Sequence, residues 1–332
     1  MPIRLLLFIA CLLVASCGGA SPPPAGAPEL PLEIKSSSQP FKIDEPAATQ
    51  IGRLIWRGGI AMTANSPHFG GWSDLHVAAD GRSLTSISDE GAWLTAAIDY
   101  DAKGNLAGLS GGRIGQLHGL DGKLIATKAE ADAEGMARLP DGSWLASFER
   151  RHRLWRYETL TSTPAPVEGP AEIGRQPPNG GIEALTALPD GRVIAISEEY
   201  GERPGTAMGW IGEPAAGGGY RWRSFDYATI ADFRPTAIAQ LPDGSFAMIE
   251  RAFDMVRGVR CRVMRFDAAQ LAPGATVRPE ELAGLASPYA VDNLEGMAAT
   301  RGARGETLLW LISDDNFNAL QRNILLLFEL AK

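Results

Sequence analysis

Cysteine is scarce in this chain of 332 residues, which contains Cys11, Cys17 and Cys261. The first two lie in an N-terminal targeting segment, so Cys261 is left without a partner for an intrachain disulfide. The sequence also lacks Cys/His clusters at zinc-ligand spacing, a Walker phosphate-binding loop and a dinucleotide fingerprint. We therefore expect no zinc site and no nucleotide cofactor.

Long apolar runs and an excess of positive charge are also missing. The apolar stretch at residues 5–14 is too short to span a bilayer as a mature helix, and no other apolar run is longer. The formal net charge of −8 argues against nucleic acid as a partner. It suits an exported protein that handles cations or small molecules.

The N-terminus has the features of a bacterial export signal. Arg4 precedes the apolar stretch, and small residues precede Cys17. The sequence Val14-Ala15-Ser16-Cys17 resembles a lipobox, in which the cysteine becomes the lipidated first residue; a secretory signal cleaved elsewhere is the alternative. We interpret residues 1–16 as a lipoprotein signal peptide and residues 17–40, rich in Pro, Gly and Ser, as an extended tether. This predicts a lipid-anchored protein on the periplasmic face of a bacterial cell envelope.

The rest of the chain, residues 41–332, contains a repeat. An apolar run, a turn (Asp-Gly in most copies), a second apolar run and an acidic residue recur. Successive copies are separated by 60, 49, 53 and 59 residues, and their first residues are Asp74, Glu134, Glu183, Thr236 and Glu295. This period is typical of four-stranded propeller blades, and Asp-Gly between short apolar runs favours hairpins over helical repeats.

Five copies are visible, and residues 53–64 form a further strand-like segment without an Asp-Gly turn. We expect this segment to complete a sixth blade by pairing with residues 324–330; five blades are the alternative. Joining the two ends of the chain would remove the open sheet edges. The predicted fold is therefore a single all-β propeller closed by its N- and C-terminal strands.

Several motifs resemble a known family. They include Phe69-Gly70-Gly71, Ser88-Asp89-Glu90, Glu134-Gly135-Met136, Phe148-Glu149-Arg150, Ile249-Glu250-Arg251, Glu295-Gly296-Met297 and Asp314-Asp315-Asn316. In this order they resemble the bacterial phytase-like propellers, usually called "esterase-like activity of phytase". The resemblance covers about residues 69–330 and implies a propeller fold and an ester-hydrolysing activity. The sequence departs from the family at Asp74, where a small residue is expected, and at Ala237, where Asp is more usual.

The acids recur where strands should end. Glu134 and Glu149 are 15 residues apart around an Asp-Gly turn, as are Glu183 and Glu198, so each pair should lie roughly opposite on neighbouring strands. In a propeller such strand ends meet at one mouth of the central channel. We therefore predict a ring of carboxylates in two layers. The innermost layer comprises Glu134, Glu183 and Glu295, and the layer behind it comprises Asp89, Glu149, Glu198, Glu250 and Asp314.

Like charges placed together require compensation. One possibility is Ca²⁺, which takes six to eight oxygen ligands. The candidate metal ligands are Glu134, Glu183, Glu295, Asp89 and Asp314. Another possibility is that arginines pair with the acids and form a site for an anionic ester. The candidate substrate-binding residues are Arg150, Arg251, Asn316 and Arg322. A purely structural role, in which the acids cap hairpins and pair with arginines, is the third reading.

These readings lead to two hypotheses about function. In the first, a metal-assisted hydrolase acts on a small anionic phosphoester or carboxylic ester, with Glu183, Glu134, Arg150 and Arg251 as candidate catalytic residues. In the second, a non-catalytic envelope propeller binds a ligand or protein partner at its mouth. An open mouth with three carboxylates within coordination distance favours the first hypothesis, and acids neutralised by arginines favour the second. We expect a monomer in either case.

The lipobox generates a prediction about location. Replacing Cys17 with Ser should remove the lipid attachment point and release the protein from the membrane fraction, as measured by fractionation and immunoblotting. Recovery of the Ser variant in the membrane pellet would contradict lipid anchoring.

Overall fold

The structure, a computed structural model, describes residues 29–217, 219–230 and 232–331. The predicted signal peptide and Cys17 lie outside these residues. Within them the chain forms 24 β-strands, one four-residue α-helix and two 3-10 turns. The described residues include no helix with the length and apolarity needed to cross a membrane.

The strands follow the sequence repeat. The N-terminal strands are β1 (Leu30–Leu32), β2 (Ile34–Ser38), β3 (Gln50–Ile51) and β4 (Leu54–Ala64). Blade 1 comprises β5 (Trp72–Val77), β6 (Ser83–Ser88), β7 (Ala92–Tyr100) and β8 (Leu106–Gln116). Blade 2 follows α1 (Lys128–Ala131) and comprises β9 (Ala133–Arg138), β10 (Trp144–Phe148), β11 (Arg153–Tyr157) and β12 (Ala165–Val167).

The later blades continue in chain order. A 3-10 turn at Ile173–Arg175 precedes blade 3, which comprises β13 (Ile182–Ala187), β14 (Val193–Ser197), β15 (Thr206–Pro214) and β16 (Tyr220–Ala228). Blade 4 comprises β17 (Arg234–Gln240), β18 (Phe246–Asp254), β19 (Gly258–Phe266) and β21 (Glu280–Ala286). Between its last two strands lie a 3-10 turn (Ala268–Gln270) and β20 (Thr276–Val277), which adds to the edge of blade 3. Blade 5 begins with β22 (Asn293–Arg301), β23 (Thr307–Asp314) and β24 (Asn323–Leu330).

The innermost strands β5, β9, β13, β17 and β22 pack side by side around a central channel. Each inner strand begins at the same end of the channel, here called the mouth, and runs toward the opposite end. The second strand of each blade returns antiparallel and ends at the mouth. Residues that open an inner strand and residues that follow the second strand therefore lie together at the mouth.

The propeller has five blades in the described residues, so the six-blade expectation is wrong and its alternative is correct. The predicted pairing of the chain ends is confirmed: β4 runs antiparallel to β24, with Ala61 opposite Ile324 and Leu54 opposite Leu330. The segment lacks a hairpin of its own. It therefore serves as an outer strand of blade 5 rather than forming a separate blade.

Part of the predicted tether, residues 17–40, forms strands; residues 17–28 lie outside the described residues. Strand β1 pairs with β8 on the outer edge of blade 1, and β2 pairs with β4 on the outer edge of blade 5. Pro31 is compatible with β1 because an edge strand does not need every backbone N–H for the ladder. The Pro-rich composition therefore concealed two edge strands.

Buried aliphatic side chains stabilise blade 5, in which the N- and C-terminal strands pair. Leu326, in β24, has no exposed surface and belongs to the apolar core between blades 4 and 5. Leu320, in the loop before that strand, is 91% exposed. These two leucines allow the same substitution to be compared at a buried position in β24 and at an exposed position outside it.

We predict that Leu326→Ala lowers the free energy of unfolding by about 2–5 kcal/mol, because it removes buried methyl groups and leaves a cavity. Leu320→Ala should change it by less than about 0.5 kcal/mol. Urea unfolding followed by circular dichroism measures both values. Similar values for the two variants would show that β24 is not a stabilising part of the ring.

Candidate functional site

Each inner strand opens with a β-bulge. In all five blades one residue of the inner strand has no partner on the second strand. These residues are Ser73, Glu134, Glu183, Thr236 and Glu295. A bulge redirects the side chain of the extra residue. The repeated bulge therefore presents one side chain per blade to the mouth, and three of the five are glutamates.

The bulges correct the alignment of the repeats in blade 1. Ser73, not Asp74, is equivalent to Glu134, Glu183 and Glu295. The bulges also shift the predicted facing of Glu134 and Glu149: Ala133 lies opposite Phe148, and Glu134 is the extra residue. The prediction based on the hairpin midpoint was therefore correct that the two acids lie close together, but it was one residue out of register.

A second layer of side chains follows the second strand of each blade. The equivalent positions hold Asp89, Glu149, Glu198, Arg251 and Asp314. The prediction of Glu250 at this layer is wrong, because Glu250 pairs with Pro235 one position earlier. Its buried carboxylate instead accepts hydrogen bonds from Tyr227 Oη (3.0 Å) and Arg262 Nη1 (2.9 Å).

The carboxylates approach one another closely in two clusters. Glu149, Glu183 and Glu198 each offer an oxygen within 4.8 Å of the others, and so do Asp132, Glu134 and Glu149. Glu149 belongs to both clusters, and its Oε1 accepts a hydrogen bond from the backbone N–H of Gly181. The clusters therefore join blades 2 and 3 at the mouth.

Arg251 compensates part of this negative charge. Its Nη2 lies 3.4 Å from Glu198 Oε1 and 3.3 Å from Glu295 Oε1, which links blades 3, 4 and 5. Burial opposes its charge, yet Glu295, Glu183 and Glu198 together raise the pKa of Arg251. The arginine therefore stays charged where the equivalent position in the other blades carries an acid.

Other groups neutralise the rim of the ring. Lys128 Nζ contacts Asp89 and lies 2.9 Å from Asp132 Oδ1, and Arg150 Nε also binds Asp132. Asn293 Nδ2 donates to Glu295 Oε1 at 2.8 Å. Glu183 differs, because its buried Oε2 has no hydrogen-bond partner among the described residues, and only 8% of the residue is exposed.

The carboxyl groups at the mouth favour their protonated forms. Burial, followed by repulsion from neighbouring acids, raises the pKa values of Glu134, Glu183 and Glu295 well above their ordinary range. Burial also raises the pKa of Glu149 to about 7, although the Gly181 N–H opposes this shift. The pKa of Asp314 rises to about 7, first through burial and then through Asp89.

Asp74 lies below the ring. It is 3% exposed, and it accepts hydrogen bonds from the backbone N–H groups of Leu75 (2.7 Å), Met136 (2.6 Å) and Met297. These groups belong to three inner strands, so one carboxylate ties blades 1, 2 and 5. A side chain at Gly296 would collide with the Asp74 backbone. Asp74 also lines a cavity of about 460 Å³ in the opposite half of the channel.

The remaining predicted residues are spread around the mouth. Arg322 binds Gln39 Oε1 at 2.9 Å and lies 3.4 Å from Asp292 Oδ2. Asn316 donates its backbone N–H to Asp314 Oδ1 at 2.6 Å. Arg150 has a positive φ of 54° and is held by Asp132. Their roles in substrate binding stay predictions.

Sequence reasoning missed Asp132 and Lys128. Asp132 precedes Glu134 by two residues and completes one of the carboxylate clusters. Lys128 lies in the short helix α1 and reaches two acids from different blades. Neither residue belongs to the repeat, so the repeat could not reveal them.

The residues at the mouth suit a hard cation. All the acidic ligand candidates offer oxygen atoms, the donors that Ca²⁺ and Mg²⁺ prefer. Oε2 of Glu183 supplies a ligand oxygen that accepts no hydrogen bond within the part of the chain that the structure describes. The acidic clusters could therefore hold a metal ion, with Glu149, Glu183 and Glu198 as its ligands.

A family model described as "Phytase-like: Esterase-like activity of phytase" matches residues 67–317. The chain belongs to this family. The match spans all five inner strands and both layers of side chains at the mouth, whereas Arg322 lies outside it. A comparison with curated proteins gave no significant match.

Solved propellers resemble the chain at low identity. An endo-arabinase from Bacteroides thetaiotaomicron is 10% identical, with a TM-score of 0.46, over 80% of this chain and 95% of that one. The PQQ-bound form of an aldose sugar dehydrogenase from Streptomyces coelicolor is 15% identical, with a TM-score of 0.44, over 93% of this chain and 99% of that one. Neither likeness bears on activity.

The raised pKa values generate a prediction about stability. The pKa of a glutamate in the unfolded chain is about 4.3, whereas burial raises the pKa of Glu149 in the folded protein to about 7. Between these values the native state binds more protons, so this group makes the free energy of unfolding fall as pH rises. In EDTA, Glu149→Gln should therefore lose less stability between pH 5 and pH 8 than the parent protein.

The exposed Glu158 of the same blade provides the control, since Glu158→Gln should leave the pH dependence unchanged. Thermal unfolding at several pH values measures all three proteins. If stability falls equally steeply with pH in the parent protein and in Glu149→Gln, the pKa of Glu149 is not raised in the fold.

Proposed function

We propose that this protein is an exported lipoprotein that hydrolyses phosphoesters or carboxylic esters with the help of a metal ion at the carboxylate mouth. The observation that carries the proposal is the buried Oε2 of Glu183, which lacks a hydrogen-bond partner within a cluster of three carboxylates. An unsatisfied buried carboxylate oxygen is costly unless a cation or a proton compensates it.

Ca²⁺ is the ion that we propose, because the cluster offers only oxygen donors and Ca²⁺ accepts irregular geometry. Glu149, Glu183 and Glu198 would hold it. When bound, such an ion polarises a phosphoryl or acyl oxygen and lowers the pKa of water.

The other mouth residues would bind and orient the substrate. Arg251 keeps its positive charge between Glu198 and Glu295, so it can attract an anionic ester while fixing the position of Glu198. Burial raises the pKa of Glu134, so its carboxyl group can hold a proton at neutral pH and donate it to a leaving oxygen. Arg150, bound to Asp132, would steady negative charge at the rim.

A non-catalytic role is the second candidate. It is favoured by the contacts of Arg251 with two acids and of Lys128 and Arg150 with Asp132, because these pairs neutralise much of the ring without a ligand. In this case the mouth would bind a ligand or protein partner without turnover.

Metal binding can be tested through stability. Adding Ca²⁺ to the EDTA-stripped protein should raise its melting temperature, because the ion binds only the native arrangement of carboxylates. Glu183→Gln should reduce this rise, since it removes a ligand charge, whereas Glu158→Gln should retain it. No change in melting temperature, together with no bound metal by elemental analysis, would eliminate the metal site.

Hydrolysis is tested separately with a panel of phosphate and carboxylic esters, with and without EDTA. We expect activity that EDTA removes and that Glu183→Gln lowers by at least about 100-fold without unfolding the protein. Calcium-dependent stabilisation without turnover of any ester would support the non-catalytic role.

A further inference from the structure

A second cavity lies on the face opposite the mouth, between blade 1 and blade 5. It has a volume of about 600 Å³, in the range of small-molecule sites. Its walls include residues from three hairpin turns. They are Asp80–Arg82 after β5, Lys103 and Gly104 after β7, and Gly302–Arg304 and Glu306 after β22. We call it the seam cavity, because blade 5 contains the joined ends of the chain.

The seam cavity is rich in positive charge, although the whole chain carries a net charge of −8. Among the described residues, its lining contains two carboxylates, Asp80 and Glu306. The lining cations outnumber them; they are Arg57, Arg82, Lys103, Arg301 and Arg304. A concave basic site raises the local concentration of anions.

Two of these cations are already neutralised. Arg57 Nη1 lies 2.6 Å from Glu329 Oε2, and Arg304 Nη2 lies 2.7 Å from the same oxygen. Glu306 is near both guanidinium groups, at 3.9 and 3.4 Å. These ion pairs form a fixed wall of the cavity rather than an open binding group.

Arg82 and Lys103 are different. Both are exposed, and neither side chain makes an ion pair or a hydrogen bond within the described residues. Arg301 also makes no ion pair there, but its guanidinium group donates to the carbonyls of Gly305 and Pro242. Asp80 accepts a hydrogen bond from the backbone N–H of Arg82, not from its guanidinium group. Two cationic groups from neighbouring turns thus remain available at one cavity.

The floor of the cavity is apolar. Ile98 and Leu308 are buried lining residues, and Ala97 adds a methyl group. The ring of Tyr100 is fixed beside them because its hydroxyl donates to the carbonyl of Gly81. A ligand that fills this site needs an anionic group for Arg82 and Lys103 and an apolar body for the floor.

We propose that the seam cavity binds an anionic amphiphile, an alkyl chain that ends in a phosphate or carboxylate group. A guanidinium group can bind either anion through two parallel hydrogen bonds, and an ammonium group adds a point charge. The site is separate from the carboxylate mouth and does not depend on the proposed hydrolysis.

Octyl phosphate below its micellar concentration is the probe, titrated calorimetrically into the full-length protein at low salt. EDTA is present throughout, so that the proposed metal-dependent site at the mouth neither binds nor hydrolyses this phosphoester. We expect one binding site per chain. R82Q/K103Q should weaken binding by at least about tenfold, because it removes the two lining cations that have neither an ion pair nor a side-chain hydrogen bond within the described residues. K123Q/R278Q, which removes two exposed cations outside the cavity, should change it by less than about twofold.

Further measurements identify where octyl phosphate binds and which of its chemical groups are recognised. Ala97→Phe should fill part of the cavity and weaken binding of octyl phosphate, and melting curves verify that it folds. Glu183→Gln should bind octyl phosphate normally, which separates this site from the mouth. The proposal fails if octyl phosphate does not bind, if both double variants bind it equally, or if inorganic phosphate or octyl maltoside binds as tightly.

Discussion

Repulsion among buried carboxylates at the channel mouth is the constraint on which the other features of this propeller depend. In a region of low dielectric, like charges a few ångströms apart cannot all ionise without compensation. Protons, Arg251, Lys128 and the Gly181 N–H each supply some of it. Glu183 Oε2 accepts no hydrogen bond from residues 29–217, 219–230 or 232–331. A bound cation would offset the cost of burying this uncompensated oxygen.

The five blades meet this constraint unequally. Repetition alone would place ten acids at the mouth, which is more negative charge than one channel can hold. Blade 1 has Ser73 and blade 4 has Thr236 at the inner layer, and blade 4 has Arg251 behind it. The departures from the repeat create a one-sided site, with acidic clusters in blades 2 and 3 and the arginine beside them. The repeated blades form the scaffold, and the residues that depart from the repeat make one side of the mouth chemically different from the other.

Much of this arrangement could be predicted from the sequence. The Asp-Gly turns at Asp141, Asp190 and Asp243 connect the first two strands of blades 2, 3 and 4. The acids on either side of the first two turns lie at the mouth as expected, whereas Glu250 of blade 4 does not. Single-residue register could not be read, because a bulge leaves no signature in apolar periodicity. Asp74 was therefore aligned in place of Ser73. Counting from the turn would have placed Arg251 rather than Glu250 in the second layer, because Arg251 follows Asp243 by the same eight residues that separate Glu149 from Asp141. The number of blades depended on tertiary pairing of a segment with no turn of its own.

The pairing of β4 with β24 also has a consequence for how the ring assembles. Its partners, such as Ala61 and Ile324, are separated by most of the chain. Contacts of such high sequence separation form late, because a long loop must first be closed. A ribosome that has produced the first four blades has not yet made β24, so the ring cannot lock during synthesis. Late pairing of β4 with β24 is compatible with the proposed export, in which the chain would cross a membrane before it folds.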